Sequence, residues 1–124
     1  MKSDIQNRED IERLVNTFYD AVKTDSVIGY LFTDVARIKW EHHLPKMYDF
    51  WENILFYTGK YSGSPMIVHR ELHQQSTMSE VHFEHWVELF TSTVDHLFAG
   101  AKADDIKDRA VHIAQVMMFK TLHR

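Results

Sequence analysis

From Asn7 to Lys23 the apolar residues fall at Ile11, Leu14, Val15, Phe18, Tyr19 and Val22. Steps of three and four lay all six side chains on one stripe of an α-helix and on no face of a strand. The pattern recurs in three later stretches, and strict alternation of apolar and polar residues does not occur. A chain written this way is expected to be all-α, each helix burying its stripe against the others. Ser3 and Gln6 have the spacing of a short capping box ahead of the first helix. Tyr19 shares the apolar stripe, so its hydroxyl is expected to point inward. A buried phenol needs a hydrogen-bond partner, and a backbone carbonyl would serve as well as a ligand.

Asp25-Ser26 opens a short helical turn over 27–32 that Gly29 keeps brief, with Phe32 directed into the core. Thr33-Asp34 begins an irregular or short helical segment through Trp40. The second long helix is expected from near His43 to about Tyr57, because Pro45 is tolerated in a first turn and costly later. Its apolar face is Leu44, Met47, Phe50, Trp51, Ile54 and Leu55, and His43 lies one turn before Met47. A loop with Gly59 and Gly63 leads to Ser64, a good N-cap, and Pro65, a good first helical residue. A short helix from Pro65 then carries His69 in its second turn, with Met66, Ile67, Val68 and Leu72 around it. Thr77 and Glu80 suggest a capping box for the third long helix, whose stripe is Phe83, Trp86, Val87, Phe90, Val94, Leu97 and Phe98. Gly100 is placed to end it. A fourth helix is expected from Asp104-Asp105, with Ile106, Ala110, Ile113, Ala114 and Met117 on one face. No linker or composition shift divides the chain, so residues 1–124 are expected to form one domain.

Composition narrows the function. The 14 Lys and Arg against 18 Asp and Glu leave a net charge of −4 with no basic run, which argues against nucleic acid as partner. There is no cysteine, which excludes disulfides, thiolate metal sites and thiol catalysis. The N-terminal stretch is polar, and no run approaches the roughly 18 apolar residues of a membrane span. A soluble cytoplasmic protein acting as a monomer is the expectation. Eight Phe, five Tyr and three Trp make the chain rich in aromatics for its size.

The nine histidines invite a zinc reading, since His69 and His73 are four apart and His82 and His85 three apart. The His69-Arg-Glu-Leu-His73 order is not that of a metalloprotease, and Glu84 lies in a solvated helix start with His82 and His85. The glycines at 59 and 63 lack the lysine-plus-hydroxyl ending of a phosphate loop. Taken alone, His69 reads as an ordinary core or surface histidine, while His43 reads equally as an exposed residue at a helix start or as a functional one on the side of Met47.

Taken together, several residues resemble a known family. They are Phe18-Tyr19, His43, Phe50-Trp51, the stretch Tyr61-x-Gly63-x-Pro65-x-x-x-His69-x-x-Leu72, and Phe83-x-x-Trp86. This combination resembles the group III truncated haemoglobins over nearly the whole chain, and the glycine pairs of the other truncated groups are missing. The resemblance implies a globin-like, two-on-two helical sandwich around haem b. It makes His69 the proximal iron ligand, with Tyr19 and Trp86 as a distal hydrogen-bonding pair and His43 as the distal histidine; the adjacent His42 leaves that last register open. Phe32, His43, Met47, Phe50, Trp51, Leu72 and Phe83 then line the cofactor.

The chemistry agrees with that expectation. Haem needs aromatic walls, one axial imidazole and basic groups at its propionate rim, for which Arg70, Lys39 and Lys46 are candidates. The far N–H of the ligand imidazole needs an acceptor, and the Pro65 carbonyl lies one helical turn back. The expected function is reversible binding of dioxygen or another diatomic ligand at a pentacoordinate iron, without a committed enzymatic role. Nitric oxide or peroxide chemistry, with a reductase as partner, stays open. The alternative is a haem-free helical interaction module with a histidine metal site.

Overall fold

A computed structural model of the chain describes residues 2–35, 39–57 and 79–122. The short helix expected at Pro65, with His69 and Leu72, lies outside the described residues. So does Thr77. Four α-helices make up the described fold: α1 (Arg8–Lys23), α2 (Trp40–Phe56), α3 (Glu80–Leu97) and α4 (Ala101–Leu122). A π-helical turn, Leu31–Val35, lies between α1 and α2. Among the described residues there is no strand.

The six apolar residues of α1 are the six it buries: Ile11, Leu14, Val15, Phe18, Tyr19 and Val22. The expected Ser3–Gln6 box is replaced by a cap four residues further along, at Asn7. The Asn7 side chain accepts from the Asp10 amide at 3.0 Å, and the Gln6 amide donates back to the Asp10 carboxylate at 2.8 Å. These two bonds satisfy amides that a helix start leaves orphaned.

Helix α2 begins three residues earlier than expected, at Trp40, so Pro45 sits inside it. The Lys39 carbonyl accepts from both His42 and His43 amides at 3.0 Å, which starts the helix without a side-chain cap. Packing explains the early start. The Trp40 ring lies 5.3 Å from that of Tyr19 and carries the Lys23 ammonium 4.6 Å above it. Tertiary contact of this kind outweighs the one amide that proline removes. Phe50, Trp51 and Leu55 are buried, while Leu44, Met47 and Ile54 pack at the edge of the core.

Glu52 is also buried on α2, and Arg8 accounts for it. One Arg8 nitrogen donates to Glu52 at 2.8 Å and to Asp49 at 2.7 Å, while Nε reaches Glu12 at 3.1 Å. The guanidinium thus joins α1 to α2 and is held charged by its three carboxylates, Asp49 foremost.

The start of α3 departs from the expected Thr77–Glu80 box. The N-cap is Ser79, and His82 takes the part usually played by glutamate: the Ser79 amide donates to His82 Nδ1 at 2.9 Å. Helix α3 ends at Leu97, before Gly100. Gly100 has φ +142°, and a Cβ there would fall 2.6 Å from Asp4 Cγ. The glycine is needed for this close approach, which brings Asp4 onto the start of α4. The Asp4 carboxylate accepts from the amides of Lys102 at 2.9 Å and Ala103 at 2.8 Å. A cap supplied from nearly a hundred residues away is why α4 starts at Ala101 rather than at Asp104. Burial alone would push the Asp4 carboxyl up; the amides of Lys102, Ala103 and Ile5 outweigh that and hold it below the usual carboxylate range.

Helix α1 packs on α2 and α3 packs on α4, with further contacts of α1 with α3 and of α2 with α4. Two helix pairs crossing in this way form a two-on-two sandwich. Its core runs through all four helices, from Ile11, Phe18 and Leu55 to Phe90, Ile106 and Met117.

Candidate functional site

Phe18 and Tyr19 are adjacent on α1, and the aromatic site grows from them. Phe18 meets Tyr19 at 4.9 Å, Trp86 at 5.8 Å and Phe90 at 5.1 Å, each edge to face. Tyr19 in turn meets Phe32 at 6.2 Å, Trp40 at 5.3 Å and His43 at 5.2 Å. The π-helical turn brings Phe32 into this group, and Trp40 is 5.8 Å from His43. Edge-to-face rings at these separations each add about 0.5–1.5 kcal/mol to the burial they already contribute.

His43 stands apart chemically in this group. It is half-buried, whereas His42 is exposed, so the helix register turns His43 inward. Its Nε2 is buried and has no hydrogen-bond partner among the described residues. Burial first, and the charge of Lys46 second, push its pKa down to about 4. The ring is therefore neutral at pH 7, with one N–H to donate and one lone pair to offer. A buried polar atom left unpaired costs about 1–3 kcal/mol, and such a cost is typical of a place where something else binds.

Of the other residues singled out in the sequence, Phe50, Trp51, Phe83 and Trp86 are buried, and Met47 is partly so. Trp51 stacks on Phe90 at 4.8 Å, and Phe90 on Trp86 at 5.7 Å, in one nearly parallel column. His69 and Leu72 lie outside the described residues, as do Pro65 and Arg70. Lys39 and Lys46 are exposed. The two histidines that invited a zinc reading within α3 have separate engagements: His82 bonds Ser79, and His85 bonds Asp25.

Two residues of the site escaped the sequence reading. Trp40, which touches both Tyr19 and His43, falls in a stretch read as irregular. Its spacing of three from His43 is the signal, legible once α2 is started at Trp40. Phe90 was read as core, and its place between Trp51 and Trp86 depends on how α2 packs on α3.

An orphaned imidazole nitrogen beside a phenol, among aromatic rings of α1, α2 and α3, suits a small polar ligand held against an apolar surface. The chain belongs to the bacterial-like globin family, whose model matches residues 3–120. It is similar to the group 3 truncated haemoglobin of Campylobacter jejuni, at 29% identity over 97% of this chain and 97% of that protein. The crystal structure of a group III truncated haemoglobin from Campylobacter jejuni superposes with a TM-score of 0.83 and 27% identity, over 98% of this chain and 95% of that one. The fold is the globin fold in its truncated form, and membership of the family implies that the chain binds haem. Among the described residues, no helix is long and apolar enough to cross a membrane.

Proposed function

We propose that this globin holds haem b through His69 and binds dioxygen reversibly, with Tyr19, His43 and Trp86 facing the ligand. The whole chain, 1–124, acts as one domain in this reading. The observation that carries it is the buried, unpartnered Nε2 of His43 against the Tyr19 ring. When bound, haem supplies a ferrous iron that holds a diatomic ligand and passes negative charge to it. The chain's own residues do the rest. Trp86 can only donate a hydrogen bond, Tyr19 can donate or accept, and neutral His43 brings one donor and one acceptor. Donors aimed at a partly anionic ligand contribute about 1.5–3 kcal/mol each. Phe32, Met47, Phe50, Trp51, Leu72 and Phe83 supply apolar wall that keeps water from competing for those donors. The alternative, a haem-free helical interaction module with a histidine metal site, gives His43 Nε2 no partner among the described residues.

The test is spectroscopic. Protein supplied with hemin should show a Soret band that shifts when the reduced form meets carbon monoxide. His69→Ala should lose the band or bind the porphyrin differently, with added imidazole restoring it. A colourless protein, or an unaltered spectrum in the variant, overturns the reading. Nitric oxide consumption by the oxygenated protein separates simple oxygen binding from oxidative chemistry.

A further inference from the structure

Two contacts tie the first turns of α3 to the segment that follows α1. His85 Nε2 lies 2.7 Å from Asp25 Oδ2, with the imidazole 29% and the carboxylate 14% exposed. Asp25 is itself held in place, because its other oxygen accepts from the Val27 amide at 2.8 Å and the Ile28 amide at 3.0 Å. Burial raises this carboxyl, and the bonds from His85, Ile28 and Val27 more than offset it, so Asp25 stays ionised and aimed at His85. Three residues earlier on α3, the Tyr30 hydroxyl lies 3.4 Å from His82 Nε2. His82 Nδ1 already accepts from the Ser79 amide, so in the neutral ring Nε2 carries the hydrogen and faces Tyr30 as a donor.

His82 and His85 are three apart and share one face of the helix, while Phe83 and Trp86 share the next, one residue or about 100° further round. Fixing the first face at two heights sets the rotation of α3 about its own axis. That rotation decides where the Trp86 indole points. The segment gripped at the other end, Asp25 to Tyr30, leads directly into the turn that carries Phe32.

We propose that His85, backed by His82, is a positioning residue whose clasp on Asp25 and Tyr30 aims Trp86 at the bound ligand. The proposal rests on the reading of Trp86 as a ligand donor. A clasp of this kind touches neither cofactor nor ligand, and it acts through the helix it holds.

The test compares His85→Leu, which removes the donor, with His85→Gln, which keeps an N–H within reach of Asp25. Three properties are measured: the oxygen release rate, the C–O stretch of the carbonmonoxy protein, and the NMR position of the Trp86 indole N–H with and without haem. That resonance is assigned by its loss in Trp86→Phe. His85→Leu should speed oxygen release about two- to tenfold, the worth of one weakened hydrogen bond. It should also move the C–O stretch toward that of Trp86→Phe and shift the indole resonance, and His85→Gln should restore all three. A folded His85→Leu protein with an unmoved indole resonance and C–O stretch overturns the clasp. If Trp86→Phe leaves oxygen release unchanged while His85→Leu still shifts the indole resonance, the clasp stands and the donor role of Trp86 falls. Should His85→Leu fail to fold, His82→Phe takes its place, and the same unmoved signals count against the clasp.

Discussion

The Tyr19 ring stands over the His43 ring at 5.2 Å and 82°, joining the middle of α1 to the first turn of α2. This pair places two polar groups among rings that are otherwise apolar. The Trp40 ring closes on both members, 5.3 Å from Tyr19 and 5.8 Å from His43, so the imidazole has little room to turn outward without first displacing an indole.

A consequence of His43 burial is a pH-dependent stability. Its pKa lies at about 4 in the folded chain, against an ordinary value of 6.5. Between those values the unfolded chain binds a proton that the folded one refuses. Stability from this group is therefore complete above pH 6.5 and falls as the pH drops from there toward 4. His43→Phe should flatten the fall in thermal midpoint between pH 6.5 and 4 relative to the parent. A proton NMR titration should find the His43 ring still neutral at pH 5. Parallel pH curves for the two proteins would count against this.

Trp86→Phe removes one donor while keeping a smaller aromatic ring against Phe18 and Phe90. Oxygen release from the haem-loaded protein should rise about 10- to 100-fold, the equivalent of about 1.5–3 kcal/mol. Stopped-flow release into excess carbon monoxide measures it. The smaller ring should also lower the thermal midpoint, because Trp86 is buried, so unchanged oxygen release in the folded variant would move Trp86 from the ligand to the core.

Asp4→Ala deletes the carboxylate that caps α4 through Lys102 and Ala103. The cost should be about 0.5–2 kcal/mol, read from urea unfolding. Asp4→Asn should recover part of it, because an amide oxygen still accepts one bond. The carboxyl of Asp4 is held low, so its contribution is present at neutral pH and lost as acid protonates it.

Arg8→Met keeps the length of the side chain and removes its charge. Glu52, 8% exposed, would lose the donor from Arg8, and α1 would lose its ionic tie to α2. The partial exposure of Arg8 limits the effect through solvent screening, so destabilisation of about 1–3 kcal/mol is expected. The double variant Arg8→Met, Glu52→Gln should be less destabilised than the single one. If it is not, Glu52 does not depend on Arg8.

Much of this was legible in the residues alone. The stripe on α1 was read to the residue, since an amphipathic helix has one way to bury six apolar side chains spaced by three and four. The family was legible too, because the combination of Phe18-Tyr19, His43, Phe50-Trp51 and the stretch from Tyr61 to Leu72 carried a resemblance that the family match over residues 3–120 bears out. Helix starts were legible only where the cap is local, as at Asn7. At Trp40 the start depends on rings and an ammonium from α1, at Ser79 on a histidine acting as glutamate does, and at Ala101 on Asp4 from the far end of the chain.

By itself, then, the order of residues determined helix content, the buried stripes and the identity of the chemical groups, because periodicity and side-chain chemistry are local properties. The tertiary structure alone decided that His43 rather than His42 turns inward, that Trp40 joins the site, and that Asp25 and Tyr30 grip α3. Those outcomes turn on distances between segments far apart in sequence, and only the packing of one helix against another determines them.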